Sequence, residues 1–570
     1  MYSLSSVRSA NFNVQHYLDL LDVEMSIKNH SKNVLLPNQI EIMKNIYLLL
    51  SAFVSPFVLV AQQANLFTIP NQSAAFIRMP SRTTMVDVDA VFFNPANLPS
   101  MGNGVQIGMN NQFLNQFSYI DSEYELYTSN PKSYNGNVKS FVFPSFFANW
   151  NINDVSIHGA FMIVGGAGGV DYANLPVSDR GIADVPAAIV NTDFDFGLPA
   201  RSLIQYDAEN GTSYSNIADY RFNFQNKGVG FSPGVQLGFA YKVNKYLNVG
   251  MDFRWSQQLV SSEGEVSNIE ILPETQNADL NQWMSPGDYL RAVSSETGEA
   301  VYSTAGQTYD QLGGDRFISI RQKGSGINFI PSFLIKPTDK LFIALKYEHR
   351  TKITLTTSVR DGKDGGEQGG RPVFIDGEEI RSDLPGSLTV GIGYQVNDKF
   401  RVNTGGRYTF FGNVDYNGRE QYMNQGYYEL EFSTSYQLFD KFLISGGYTY
   451  NRALVDPEYH SDVDFWIPGH SVGIGGRIDF TESLAFDFGA MFTQNVGQQF
   501  TYTNHSYADG NPLATPPAGY VGSYTMDFRK KSYIIGMGLN IKIQKDQTKT
   551  PNLSEQEAAS GSSKLYNFRG

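Results

Sequence analysis

The sequence predicts an all-β protein, a transmembrane antiparallel β-barrel of about fourteen strands. Three observations carry this reading. Strands with period-two alternation recur in pairs. A short polar turn joins each pair, and long polar connections occupy the opposite end. Short turns at one end and long loops at the other are the asymmetry of barrels that cross an outer membrane.

Six short connections mark the turn end: 150–154, 243–246, 337–340, 396–399, 438–441 and 480–483. Two lie in near copies, YQVNDKF at 394–400 and YQLFDKF at 436–442. Asn and Asp tolerate the left-handed backbone that tight hairpins require. The strands that follow alternate. Phe400, Val402, Thr404, Tyr408 and Phe410 share one face, while Arg401, Asn403, Arg407 and Thr409 share the other. Leu247, Val249, Met251, Phe253 and Trp255 oppose Asn248, Asp252 and Arg254, and Leu484, Phe486 and Phe488 oppose Asp487. Tyr533, Ile535, Met537, Leu539 and Ile541 form the last apolar face. Alternation places one set on lipid and the other in a polar lumen. The turns join twelve strands. A first strand near 104–118 and a last near 532–544 bring the expected count to fourteen. The long connections are expected at 119–137, 165–228, 258–323, 358–384, 414–425, 456–467 and 498–528.

Composition agrees. Aromatic residues make up 14%, with 33 Tyr and 40 Phe beside 54 Gly. This mixture suits strands and interfacial girdles better than a helical enzyme. Without cysteine there is neither a disulfide framework nor a thiolate metal site. A net charge of −13 without a basic cluster argues against a nucleic-acid partner. The mean hydropathy of −0.28 is low because lipid-facing residues occupy every second position.

Residues 43–61 have the layout of a signal peptide. Lys44 supplies the positive start, the apolar run IYLLLSAFVSPFVLVA follows, and cleavage is expected near Ala61 or Gln62. Residues 1–42 are read as a leader outside the mature protein, with Met43 as the expected start. Residues 62–103 are more chain than the first strand needs. They are rich in apolar residues such as Leu66, Phe67, Phe76, Ile77, Val91, Phe92 and Phe93. A fourteen-strand barrel is wide enough to leave a lumen, so this segment is expected inside it as a plug. Residues 104–544 form the barrel, and 545–570 a polar periplasmic tail.

Within the candidate plug, the stretch Asp87-Val-Asp-Ala-Val-Phe-Phe-Asn-Pro-Ala-Asn-Leu98 resembles the D-A-x-x-x-x-N-P-A-x-L signature of the outer-membrane long-chain fatty-acid and hydrocarbon transporter family. The resemblance covers about residues 62–544. It implies fourteen strands and an N-terminal hatch carrying Asn94, Pro95 and Ala96. Pro95 fixes its own φ and bars helix at Asn94, so a kink is expected there. Gly165, Gly166, Gly168 and Gly169 resemble the Gly-rich end of the third strand in such proteins. Glycines weaken a strand, and these four are the candidate lateral exit. The chain departs from the family pattern at Arg78-Met-Pro-Ser-Arg82, where a Gly-rich run is usual.

Other motifs carry less. Gly469-His-Ser-Val-Gly473 matches G-x-S-x-G, but a hydrolase elbow needs a strand-to-helix turn and this motif runs into a strand. His158, His349, His460, His470 and His505 show no metal-ligand spacing. The run from Asp361 to Gly370 lacks the calcium-loop register and reads as an external loop. Asp252, Arg254, Lys346, Glu348, Arg350, Arg401, Arg407 and Asp487 are expected to face the lumen. Leu175, Pro176, Val177, Val185, Ile189, Phe194, Phe196 and Leu198 are candidates for an uptake mouth.

The expected function is passive transport of hydrophobic small molecules, such as long-chain fatty acids or hydrocarbons, across the bacterial outer membrane. No enzyme activity, cofactor or metal is expected. The expected partners are the transported compounds, outer-membrane lipids or lipopolysaccharide, and the barrel-assembly machinery, with the chain a monomer. The rival readings are a scaffold or secretion-accessory barrel of the same fold and a general porin.

Overall fold

The computed structural model describes residues 71–543, apart from 125–126, 128–130, 173–174, 177–178, 181, 184–215, 275–276, 299, 313–314, 369–370, 417, 424–425, 463 and 504–522. The predicted leader, signal segment and polar tail lie outside the described residues. In chain order the elements begin with α1 (Ala74–Arg78), α2 (Ala90–Phe93) and a 3-10 turn (Pro95–Met101). Strands β1 (Gly104–Glu123), β2 (Lys132–Ser140), β3 (Ser145–Ile152), β4 (Val155–Tyr172), β5 (Asn216–Lys242) and β6 (Leu247–Glu274) follow. Helices α3 (Pro286–Thr297) and α4 (Ala300–Leu312) precede β7 (Arg316–Ile335), β8 (Leu341–Glu348), β9 (Thr354–Asp364), β10 (Glu367–Gln368), β11 (Arg371–Pro372) and β12 (Glu379–Arg381). The chain continues through β13 (Gly386–Gln395), β14 (Phe400–Phe410), β15 (Tyr427–Phe439), β16 (Phe442–Ala453), β17 (Gly469–Thr481), β18 (Leu484–Asn495), β19 (Gln498–Thr503) and β20 (Ser523–Ile543).

Eighteen of these strands form one sheet. The pairing of β1 with β20, from Val105↔Ile543 to Glu123↔Thr525, closes it into a barrel. Four staves of the wall consist of two segments each: β2 with β3, β8 with β9, β12 with β13, and β18 with β19. Counted as staves, the wall has the expected fourteen strands. All six predicted short turns connect adjacent staves, and Asn153 takes a positive φ of 55° in the first of them.

The wall is apolar outside and polar inside. Leu237, Phe239, Phe253, Ile327, Leu430, Val472, Ile474 and Ile535 are exposed. Their chain neighbours Gln236, Asp252, Arg254, Asn328 and Glu431 are buried. This inverts a water-soluble protein and suits a hydrocarbon surround, with closure pairing the first and last strands.

The predicted loop boundaries need correction. Several strands run far into stretches read as loops: β5 begins at Asn216, β6 reaches Glu274, β7 begins at Arg316 and β20 at Ser523. Above the apolar band the pattern reverses: apolar residues such as Tyr220, Ile271, Ile318 and Ile320 are buried on the inner side, so a lipid-facing stripe gives no sign of these parts. The stretch 258–323 also holds α3 and α4. Ser285 caps α3 by accepting the Asp288 N–H at 3.0 Å, Pro286 occupies its first turn, and Gly298 ends it at φ +76°. Tyr289, Leu290, Val293 and Tyr309 pack from these helices onto β6 and β7 residues Ile271, Ile318 and Ile320. The stretch from Asp361 continues β9 and turns into the β10–β11 hairpin.

Candidate functional site

Residues 71–102 lie against the inward face of the wall. Helix α1 rests on β17, β18 and β20. Two inward-facing glycines make that approach possible. A Cβ at Gly473 would strike the Ile77 carbonyl, and one at Gly489 would stand 3.0 Å from the Ala74 carbonyl. Ser73 caps α1 by accepting the Phe76 N–H at 3.0 Å, and its hydroxyl donates to Asp89 at 2.7 Å. The α2 carbonyls are met from the far wall. Gln236 donates to Val91 O at 2.7 Å and Lys346 to Phe92 O at 2.9 Å, a cation at a helix C-terminus.

Charge holds the segment together and to the wall. Arg82 pairs with Asp89 at 2.5 Å and Asp87 at 3.1 Å. Asp87 also pairs with Arg477 of β17 at 3.2 Å, and Arg78 pairs with Asp487 of β18 at 2.8 Å. Arg477 also takes Asp479 at 2.9 Å, so three arginines face four aspartates. On the opposite wall Glu348 takes Arg254 and Lys346, each at 2.7 Å, and Arg407 pairs with Glu429 at 2.7 Å. Arg401 donates to Thr84 O at 2.8 Å, and Arg350 lies 3.7 Å from Asp383. The expected lumen charges are thus engaged with one another and with residues 71–102.

Asn94, Pro95 and Ala96 meet β6 and β7. Asn94 is extended, at φ −163° and ψ 94°, and Pro95 opens the 3-10 turn, so the kink expected from Pro95 is present. Asn94 donates to Phe333 O at 3.1 Å. The Ala96 N–H donates to Ser332 Oγ at 3.1 Å, and its carbonyl accepts from Asn248 at 2.9 Å. Asn97 donates back to Thr83 O and Met85 O, at 2.9 and 2.8 Å.

The candidate exit glycines lie in β4, next to an interruption of the wall. Below it, β3 pairs with β4 as far as Ser145↔Met162. Above it, β2 pairs with β4 from Lys139↔Gly169. Residues 163–168 of β4 have no strand partner on that edge among the described residues. Gly165, Gly166 and Gly168 fall within this gap and Gly169 at its upper margin. Gly166 takes φ +74°, and the opposite pairing with β5 shifts register at Gly165. Facing the gap, 141–144 break the neighbouring stave. Phe141 and Val142 are about 70% exposed, at 70% and 71%, while Phe143 is buried. Pro144, which has no N–H for a ladder, was the sequence signal for this break. Gln72 donates to Ile163 O at 2.7 Å across the gap, and the Ser145 hydroxyl donates to Gln72 O.

Apolar clusters lead to this place. Phe76, Val91, Phe92, Phe93 and Leu98 pack with Met162, Val164, Val260 and Leu355. The α3–α4 cluster caps the barrel at the long-loop end. A separate cleft of about 720 Å³, lined by Tyr436, Ile444, Ile474, Phe488 and Met537, lies on the outer face and not in the lumen. Of the candidate mouth residues, Leu175 is buried and Pro176 accepts from the Tyr127 hydroxyl at 3.2 Å. Val177, Val185, Ile189, Phe194, Phe196 and Leu198 lie outside the described residues, as does His505.

The remaining motifs form no catalytic set. In Gly469–Gly473 the neighbours point to opposite faces. His470 is exposed and meets the Tyr448 hydroxyl at 2.6 Å, whereas Ser471 is buried and meets Thr493 at 2.8 Å. His158 lies 3.1 Å from both Asp252 and Ser156, fully enclosed by the wall. Among the described residues no cluster of His, Asp or Glu suits a metal ion.

Neither a family model nor a curated protein matches the sequence. Solved structures do. A Pseudomonas aeruginosa FadL homologue is 14% identical with a TM-score of 0.50, covering 83% of this chain and 99% of that one. The P. putida toluene transporter TodX is 12% identical with a TM-score of 0.46, covering 80% and 95%. The Ralstonia pickettii toluene transporter TbuX is 13% identical with a TM-score of 0.45, covering 84% and 100%. At such identities the likeness is one of fold. The FadL homologue carries that likeness over nearly its whole length, and its fold is the one the sequence resemblance led us to expect.

Proposed function

We propose that this chain, a barrel with the fold of the FadL homologue, is a passive outer-membrane transporter of hydrophobic compounds such as long-chain fatty acids or hydrocarbons. The observation that carries the proposal is the gap along 163–168, which faces a buried apolar cluster and is bridged by Gln72. Apolar solutes cross a charged outer leaflet poorly. An apolar path through the loops to a side opening delivers them to the hydrocarbon layer below that leaflet, down their gradient and without ATP. The paired charges across the lumen disfavour a straight path, because an apolar solute would have to desolvate them. In this reading residues 71–102 are the hatch, with Asn94-Pro95-Ala96 docked on β6 and β7, and the protein works as a monomer. The occupied lumen disfavours a general porin.

The test is uptake into proteoliposomes of a labelled long-chain fatty acid against a small sugar. The wild type takes up the fatty acid and excludes the sugar. Gly165→Val with Gly168→Val lowers fatty-acid uptake several-fold while the barrel still assembles and migrates as a folded species. Unchanged uptake in that variant removes the lateral exit. Sugar uptake without fatty-acid uptake supports a porin, and neither activity together with a co-purifying protein supports a scaffold.

A further inference from the structure

A second feature lies on the outer face of the wall, near the long-loop end. Read from the short-turn end, the outward residues of β7 are Ile335, Phe333, Phe329, Ile327, Ser325, Lys323 and Arg321, all exposed. From Ile335 to Lys323 the strand climbs roughly 30 Å along the barrel axis, at ~3.3 Å per residue and a ~40° tilt. An apolar band is about 25 Å tall, so Lys323 and Arg321 stand just beyond it. About 15 Å lower on the same wall, at ~3.3 Å per residue and the same tilt, and so inside the apolar band, lies an aromatic cluster. Phe329 stacks on His349 at 4.6 Å, and the Tyr347 hydroxyl lies 3.1 Å from His349 Nδ1.

A third cation joins them. Lys352 is exposed between buried Thr351 and Ile353. Its segment presses on β7 where glycines leave room: a Cβ at Gly326 would strike the Lys352 carbonyl, and one at Gly324 the Thr354 carbonyl. Strand β9 adds exposed hydroxyls through Lys323↔Thr356 and Arg321↔Ser358. Among the described residues no carboxylate pairs with Arg321, Lys323 or Lys352. The carboxylates nearest in register are Glu263, opposite Ser319, and Glu379, opposite Thr356. Elsewhere on the outer face Arg529 is taken by Asp121, and Arg221 by Glu270.

Like charges without counter-charges repel, and hydroxyl and cationic donors together suit phosphate oxygens. An apolar wall directly beneath them suits acyl chains. We infer that Arg321, Lys323 and Lys352 bind the phosphorylated headgroup of an outer-leaflet lipid, with Thr356 and Ser358 as further donors. The inference rests on the barrel standing in the outer membrane with its long loops outward, but not on what it transports.

The experiment uses the purified protein in neutral detergent, with bisphosphorylated lipid A as the probe and binding read by native mass spectrometry. Its arms are dephosphorylated lipid A, inorganic phosphate, and the R321Q/K323Q/K352Q variant. The wild type retains lipid A about tenfold better than the dephosphorylated form, and the triple variant loses that tenfold. Equal retention by the variant, equal binding of the dephosphorylated lipid, or displacement by an equal concentration of inorganic phosphate overturns the inference. If the triple variant fails to assemble, Lys323→Gln and Lys352→Gln singly serve instead, each weakening retention about threefold. Fatty-acid uptake by the triple variant into neutral-lipid vesicles stays at the wild-type level. Failure of uptake in every form would therefore sink the transport reading and leave this one standing.

Discussion

His460 shows how one side chain sets the condition of a loop. It ends a 3-10 turn (Pro457–Tyr459) between β16 and β17. Its ring stacks on Phe500 at 4.8 Å, and its Nδ1 accepts the Trp466 N–H at 3.2 Å. That bond needs an unprotonated Nδ1. Burial pushes the imidazole down from its ordinary 6.5 to about 4; Asp464 opposes this, and Lys530 and Arg419 reinforce it. The unfolded loop therefore binds more protons between these two values, and the contribution of His460 to stability is whole above pH 6.5 and lost as pH falls towards 4. Hydrogen exchange at the Trp466 amide is expected to quicken across that window after correction for intrinsic rates. His460→Gln should remove the step, and a flat wild-type profile would count against the assignment. None of this was legible in the sequence, because His460 meets Phe500 and Phe528 only after distant strands have paired. The opposite orientations of His470 and Ser471 were legible, because alternation along a strand is a local rule.

At the scale of elements, the fit between α1 and the wall depends on what the wall lacks. Gly473, Gly475, Gly489 and Gly536 face inward beneath Ala74, Ile77 and Arg78, so helix and sheet approach backbone to backbone. Gly473→Leu places a side chain where the Ile77 carbonyl lies and displaces Arg78 from Asp487. Separating such a buried pair costs about 3–5 kcal/mol. The barrel should still assemble, since its ladders are untouched, but trypsin should now cut at Arg78 and Arg82. Gly446→Ala is the control, because its Cβ would meet nothing nearer than 3.5 Å. Protection of both arginines in Gly473→Leu would show that the segment is held by other means. The strands themselves were readable wherever one face was apolar, as at 400–410. The upper parts of β5 and β6 were not, because there Tyr220, Phe222 and Phe224 pack inward on the loop cluster, the reverse of the lipid-facing pattern. Helix α3 had left its signs in Ser285, Pro286 and Gly298, which are caps and carry no alternation. The kink at Pro95 was local and readable, but its partners Asn248 and Ser332 lie more than a hundred residues away.

For the whole molecule, if the chain transports as proposed, some part of residues 71–102 has to move. Arg78 and Asp87 of this segment are paired with the wall residues Asp487 and Arg477, so moving the whole segment would separate two buried pairs at once, at several kcal/mol each. The gap at 163–168 is bridged by much less, chiefly Gln72 and its contacts to Ile163 and Ser145. A local shift near Gln72 is therefore the cheaper route to an open side exit. The chain has no cysteine, so two engineered crosslinks can separate the cases cleanly. Gln72→Cys with Ser145→Cys ties the segment across the gap. Ser81→Cys with Ser433→Cys ties it on the opposite wall, where the Ser81 N–H donates to Ser433 at 3.0 Å. Oxidation of the first pair should lower fatty-acid uptake several-fold, and a reductant should restore it. Oxidation of the second should leave uptake close to the uncrosslinked level. Equal loss from both crosslinks would mean that residues 71–102 move as a unit, and no loss from either would mean that solute passes without displacing them.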